Sequence, residues 1–300
     1  MSKFDIEYLK LCKKILEEGK KVENRTGIDT IKIPSYHFHF DLEDEFPMLT
    51  TKQVFYKNAI TEMLWIYQAQ SNDVRWLKER NNHIWDEWEI GEDGIWRATQ
   101  MVPNVDGKLE KTNIEKDFGK EWAHTIGTAY GWIVNRYKLI DELLDKIENN
   151  PTDRRMVMSL WQNEFLDTAV LPSCVWSSEW DVTDDKLNLW VHQRSSDVPL
   201  GLPFNVTQYA VLQSMIAHCT DLKPGTMDWS IKDAHIYENQ VEGIKEQIER
   251  GETLEDLSAQ ELWLNPEIKN FYEFDNSKEL KDIKIRKYKH HGKISFPIAQ

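Results

Sequence analysis

The apolar residues of this chain change period repeatedly between the three-to-four spacing of a helix and the two of a strand, with no linker between segments. Phe4, Tyr8, Leu11, Cys12, Ile15 and Leu16 form one stripe over residues 4–18. Residues 54–70 are densely apolar with Glu62 in their middle, and residues 137–148 repeat the stripe through Leu139, Ile140, Leu143, Leu144 and Ile147. Residues 205–220 and 237–250 complete the predicted helices. Strand alternation appears over 30–42, 155–161, 175–182, 186–194 and 227–232, with Pro34 and Ser35 predicting a bulge or bend in the first. Residues 89–128 are mixed in charge and carry two turn signals, Asp93-Gly94 and Asp106-Gly107, which predict a surface insertion. Helices mixed with antiparallel-looking strands predict one α+β domain over residues 1–300, with a mixed, largely antiparallel sheet covered by helices.

Composition narrows the function classes. A chain of 300 residues with 40% hydrophobic content and 13 Trp can bury one large core. The net charge of -14 argues against nucleic acid as a partner, because affinity for a phosphate backbone needs many Lys and Arg. A small anion would need a local cluster of arginines. No run of eighteen apolar residues occurs and the start lacks a secretory pattern, so a soluble, cytoplasmic protein with no membrane partner is expected. Cys12, Cys174 and Cys219 are odd in number and far apart, which predicts reduced thiols. The glycine-rich phosphate loops and the His-Glu-x-x-His zinc pattern are absent, so neither a nicotinamide cofactor nor a metal is expected.

A few segments could carry chemistry. Cys174 follows Leu171-Pro172-Ser173 at the start of an apolar strand, where a thiol can face a cleft. Cys12 and Cys219 lie on apolar helix faces and read as packing residues. Arg154 and Arg155, and Arg194 with Ser195 and Ser196, place guanidinium forks beside hydroxyls, a combination that suits a phosphate monoester. Asn205 reads either as a helix cap or as an amide matching the N3–H and O4 of uracil. His235 and Tyr237 tip another junction.

The order and wording of these pieces resemble the thymidylate synthase family from about Arg25 to the C-terminus. The pieces are Asn24-Arg25-Thr26-Gly27, Phe46 to Lys52, Glu62-Met63-Leu64-Trp65, Ile84 to Trp88, Tyr130-Gly131, Pro151 to Arg155, Leu171 to Cys174, Gln193 to Asn205 and Asp233 to Tyr237. The resemblance implies reductive methylation of dUMP to dTMP, with 5,10-methylenetetrahydrofolate giving both carbon and hydride. Cys174 is then the nucleophile, and Glu62, Arg194, Asn205 and Asp197 complete the catalytic set. It also implies that Arg25, Arg194, Ser195 and Ser196 hold the substrate phosphate, that Asn205 with Asp197 lies at the base, and that His235 and Tyr237 hold the ribose. Ile84, Trp85, Asp197, Leu200, Gly201, Phe204 and Ala299 would contact the folate. A homodimer through the sheet face is implied, each subunit lending Arg154 and Arg155 to its partner's site.

The chemistry explains the residue types. C5 of uracil is a poor nucleophile until a thiolate adds at C6 and makes an enolate. Arginine charge, above all Arg194, is expected to favour the thiolate. The chain departs from common family wording at Val175, Ser173, the residues after Tyr130-Gly131, and Gln300. The alternatives are a deoxypyrimidine hydroxymethylase of the same fold, which Trp85 and Asn205 oppose, and a non-catalytic nucleotide- or RNA-binding relative.

Overall fold

The computed structural model describes residues 1–253, 255, 257 and 259–298 of the chain. Helix α1 (Lys3–Glu18) opens on a capping box, in which the Ser2 hydroxyl accepts from Asp5 N–H and the Asp5 carboxylate accepts from Ser2 N–H. Its stripe of Phe4, Tyr8, Leu11, Cys12 and Ile15 is buried, as the spacing predicts. Next come β1 (Lys20–Val22), β2 (Thr30–Asp41), α2 (Tyr56–Tyr67) and α3 (Val74–Lys78). The middle of the chain holds β3 (Ile95–Pro103), β4 (Leu109–Asp117), α4 (Gly131–Tyr137) and α5 (Leu139–Asn149). The remainder is β5 (Val157–Ser159), β6 (Val175–Thr183), β7 (Lys186–Gln193), β8 (Ser196–Asp197), α6 (Gly201–Cys219), β9 (Lys223–Tyr237), α7 (Val241–Thr253), β10 (Glu261–Leu264) and β11 (Ile283–Arg286).

One mixed sheet organises these elements in the order β1-β2-β9-β7-β6-β5, with β8 beside the end of β9. All its pairs are antiparallel except β7 with β9 and β8 with β9. The single α+β domain with a largely antiparallel sheet is therefore the observed fold. Helix α6 is apolar on all sides and buried from Val206 to Ala217, the pattern of a helix enclosed by other layers. It packs against α2 on one side and against β7 and β9 on another. No helix among the described residues is long and apolar enough to cross a membrane.

The structure corrects several expectations. Helix α6 begins at Gly201, ahead of the predicted start at 205, and Leu200 is its N-cap. Pro203 hides that start from a sequence reading, yet the first turn of a helix has no intrahelical use for its N–H groups and tolerates proline. Asn205 is consequently inside the helix and is not its cap. The predicted bulge at Pro34 is absent: Ile33 faces Ala234 and Ser35 faces Lys232 in one unbroken register. Strand β1 stops pairing at Lys32, so the missing N–H of Pro34 falls where β2 has no outer neighbour. Residues 137–148 are divided between α4 and α5, which meet at Lys138 in the left-handed region, φ +52°. Strand β9 runs well beyond the predicted 227–232 and includes His235 and Tyr237. The antiparallel β10–β11 pair lies outside the predicted strands.

The insertion at 89–128 contains the β3–β4 hairpin, which turns through Asn104 to Lys108. It does not stand clear of the body, since Met101 N–H donates to the carbonyl of Arg25 at 2.7 Å. The Met101 side chain also covers Gly27, where an added Cβ would sit 2.6 Å from its Cγ.

Asp5 ties the first helix to the strand-helix connection at residues 50–51. Fully buried, its carboxylate accepts from N–H and hydroxyl of Ser2, Thr50 and Thr51, at 2.6–3.2 Å. Removing the acceptor strands these buried donors, each at a cost of about 1–3 kcal/mol when left unpaired. Asp5→Ala is expected to lose about 3 kcal/mol or more of unfolding free energy, measured by urea denaturation. A loss under about 1 kcal/mol would mean that water replaces the carboxylate.

Candidate active site

Cys174 stands immediately before β6, half-buried, with its backbone held from two sides. Its N–H donates to the Tyr130 hydroxyl at 3.1 Å, and its carbonyl accepts from Arg194 N–H at 2.8 Å. The β6–β7 ladder changes register between Val175 and Ser177, an irregularity directly after the thiol. Such bulges re-aim neighbouring side chains. Arg194 spreads its guanidinium over the same loop: Nε donates to Ser173 O at 3.0 Å and Nη2 to Pro172 O at 2.7 Å. Nη2 also lies 3.6 Å from the Cys174 Sγ.

This proximity does not make a resting thiolate. Burial pushes the Cys174 thiol up, and the opposing pull of Arg194, then Arg25 and Tyr130, does not cancel it. Arg194 thus favours the thiolate, as its charge predicts, while desolvation favours the thiol and is the larger effect. Cys12, fully buried, is pushed up to about 12, and Cys219 to about 11, both by burial. Their surroundings offer no guanidinium within bonding reach, which fits the packing role read for them.

Cys174 lines a small cavity of about 30 Å³, whose walls include Glu62, Tyr130, Asn205 and Gln208. Glu62 comes from the middle of α2, so both carboxylate oxygens are enclosed by packed elements. Oε1 accepts from the Trp85 indole at 2.7 Å and Oε2 from Gln208 Nε2. Burial nevertheless pushes its carboxyl up to about 7, against these two donors. A carboxyl poised near neutrality, in a cavity with a thiol, suits proton transfer.

Asn205 lines the same cavity. Its Oδ1 accepts from Gln193 Nε2 at 3.1 Å and its Nδ2 donates to Gln208 Oε1 at 3.1 Å. Asp197 accepts from Leu200 N–H at 3.1 Å and from Gln240 Nε2 at 3.1 Å, and burial raises its pKa. Gln240 Nε2 also donates to Pro297 O at 3.2 Å, so the C-terminal segment is tied to Asp197. His235 is buried and bonded through Nδ1 to Asp233, whose carboxyl it holds down to about 2, with Tyr237 edge-on at 5.2 Å. Ser195 and Ser196 follow Arg194, and the buried Ser196 hydroxyl has no hydrogen-bond partner among the described residues.

The remaining expected residues divide in two. Trp85 is buried, and Ile84, Leu200, Gly201 and Phe204 are half-buried around the mouth of α6. Ala299 lies outside the described residues. Arg25 is exposed on the loop before β2, yet its charge acts on Cys174 and Tyr237. Arg154 and Arg155 are exposed on the turn after α5, where Arg155 is paired with Asp153 at 2.8 Å. They are not brought to this chain's own Cys174.

Sequence reasoning did not select Tyr130, Gln193, Gln208 or Gln240 as site residues. Gln208 had one usable signal, since it sits three residues after Asn205 and therefore on the same face of α6. Tyr130 is held in the left-handed region at φ +47°, an outlier only coordinates reveal. Among the described residues no group of His, Cys, Asp and Glu is placed to hold a metal.

Comparison with known proteins agrees with this geometry. The profile of the family described as "Thymidylate synthase" matches residues 6–300. A protein of Clostridium beijerinckii named thymidylate synthase is 45% identical over 299 residues, covering 100% of both chains. One of Bacillus mojavensis with the same name is 37% identical, again over 100% of both. The solved structure of the thermostable thymidylate synthase A from Bacillus subtilis superimposes with a TM-score of 0.81 at 35% identity, covering 99% of each chain.

The raised carboxyl of Glu62 links stability to pH. Below the ordinary value of 4.5 the folded and unfolded chains both carry the proton, and between 4.5 and about 7 only the folded chain does. Raising pH through that window therefore destabilises the fold by about 3 kcal/mol in total, with no further loss from this group above 7. Glu62→Gln removes the titration, so its stability relative to the parent is expected to rise by most of that amount between pH 5 and pH 8. Parallel denaturation curves at both pH values would place the proton elsewhere.

Proposed function

The chain belongs to the thymidylate synthase family, and from the geometry around Cys174 we propose how its residues divide the methylation of dUMP. The single observation that carries the reading is the shared cavity, in which a thiol beside Arg194 faces both Glu62 and Asn205. Arg194, Arg25, Ser195 and Ser196 bind the phosphate, with the arginines giving charge-assisted hydrogen bonds. Asn205 reads N3–H and O4 of the base, while His235 and Tyr237 hold the ribose. Each of these assignments follows the matching position of the family wording.

Cys174 adds to C6, and C5 gains the electron density it lacks in free uracil. Because the resting thiol is protonated, its proton must leave as the C–S bond forms. Arg194 stabilises the sulfur charge during that transfer, and Glu62, ionised above about pH 7, is a carboxyl on the same cavity able to accept or relay a proton. Loss of the C5 proton later calls on the same chain of groups. The 5,10-methylenetetrahydrofolate co-substrate supplies the one-carbon unit and the hydride, and leaves as dihydrofolate, so no nicotinamide enters. Asp197 presents a buried carboxylate to ring N–H donors, and Ile84, Trp85, Leu200, Gly201 and Phe204 supply an apolar rim that suits a flat heterocycle.

The hydroxymethylase alternative is not favoured. Trp85 donates to Glu62 and lies against Tyr130 at 5.3 Å between ring centroids, so its indole fills the space a competing water would need. A nucleotide-binding relative without activity would have no use for a thiol fixed beside a cation.

The functional unit is a homodimer through the outer sheet face, working in the cytoplasm. Support comes from exposed Val157, Trp176 and Trp190 on adjacent strands β5, β6 and β7, a patch of the kind that marks an interface. Arg154 and Arg155, exposed beside it, serve the partner's phosphate.

Cys174→Ser is expected to abolish methylation by at least about a thousandfold while leaving the circular dichroism unchanged, because a hydroxyl is far less nucleophilic near neutral pH. Cys12→Ser and Cys219→Ser keep activity. Equal losses from all three would assign Cys174 to packing. Mixing Cys174→Ser subunits with Arg155→Glu subunits is expected to restore part of the activity through heterodimers with one intact site. No recovery, with exchange verified by native mass spectrometry, would rule out shared sites.

A further inference from the structure

The cavity is backed by a hydrogen-bond chain whose direction is set at both ends. Trp229 Nε1, buried and able only to donate, gives its hydrogen to Gln193 Oε1 at 3.0 Å. Gln193 Nε2 then faces Asn205 Oδ1, Asn205 Nδ2 faces Gln208 Oε1, and Gln208 Nε2 faces Glu62 Oε2. The other Glu62 oxygen accepts from the Trp85 indole, a second group that can only donate.

An isolated amide can rotate by half a turn with little penalty, so its orientation is normally open. Here a flip of any one amide sets donor against donor and acceptor against acceptor at two contacts. The order follows from the donor-only indole of Trp229 at one end and the carboxylate of Glu62 at the other. Asn205 is left with one lone pair on Oδ1 and one hydrogen on Nδ2 to offer the cavity. That pair matches N3–H and O4 of uracil. Cytosine presents the reverse, an acceptor at N3 and a donor at the amino group, and would require Asn205 to flip.

We propose that Gln208 is a specificity-determining positioning residue, which locks the Asn205 amide in the uracil-reading orientation by tying it to Glu62. The inference rests on the reading of Asn205 as the group that meets the base. Gln208 does its work because it bonds two elements at once: it lies one turn beyond Asn205 on α6 and reaches across to Glu62 on α2. Its side chain is buried, so water does not offer a ready substitute.

The test is competition of dCMP against dUMP at fixed folate, read as the ratio of the dCMP inhibition constant to the KM for dUMP. Gln208→Met keeps the length and removes both polar contacts. The ratio is expected to fall about tenfold, because a flip of Asn205 then breaks one hydrogen bond fewer. Gln208→Glu is the rescue. Its carboxyl, sharing a proton with Glu62, can still accept from Asn205 Nδ2 and donate to Glu62, so the parent's ratio is expected whatever happens to turnover. A ratio unchanged in Gln208→Met, or lowered equally in Gln208→Glu, overturns the lock and leaves Gln208 a packing residue. If Gln208→Met does not fold, Gln193→Met removes the other partner of the same amide and must lower the ratio likewise. Release of tritium from C5-labelled dUMP by the parent chain tests the functional reading separately, because it does not depend on how Asn205 is held.

Discussion

The site depends on one guanidinium laid across a loop. Arg194 donates to the carbonyls of Pro172 and Ser173, takes the Cys174 carbonyl with its own N–H, and faces the Cys174 sulfur. An arginine does not lose its charge in a protein, and its fork holds several acceptors in one plane. The loop therefore cannot move without stripping buried donors of their partners. Position and charge at the Cys174 thiol come from the same side chain, and the end of β7 carries both to the register irregularity beside Cys174.

Around that anchor, burial sets the protonation states. Cys174, Glu62 and Asp197 all have raised pKa values, and in each the largest cause is desolvation. Desolvation thus shifts each group toward its neutral form, against the donors and cations that surround it. The arrangement costs stability, since three groups are kept from their preferred ionised or solvated forms. The tight core behind them, including the fully buried Trp65 and Trp229, offsets that cost.

The sheet distributes the remaining tasks between its two faces. The inner face rests on α6 and supports the cavity through Gln193 and Trp229. The outer face leaves Trp176 and Trp190 exposed, with His192 stacked on Trp190 at 5.3 Å and His37 sharing Asp228 with His39. Strand alternation makes this division unavoidable: every residue turned inward has neighbours turned outward. The arginines at 154 and 155 are exposed on the turn after α5, where Arg155 is paired with Asp153.

Periodicity alone located α1, α2, β6 and β7, because each buries one face and the spacing of its apolar residues records which. The wording around Cys174, Arg194 and Asn205 singled out residues that the fold does bring together, Cys174 beside Arg194 and Asn205 on the same cavity. The chain's sequence did not reveal the start of α6, because proline is permitted in a first turn and forbidden later, and local reading cannot tell which turn it is in. Nor did it reveal that burial shifts Cys174 toward the thiol: the charge of Arg194 is written in the sequence, while the desolvation that outweighs it exists only once the core closes. The chain from Trp229 through Gln193, Asn205 and Gln208 to Glu62 likewise joins residues from β9, β7, α6 and α2. Tertiary structure alone decided which glutamine meets which carboxylate, because hydrogen-bond direction is a property of atoms brought together from distant segments.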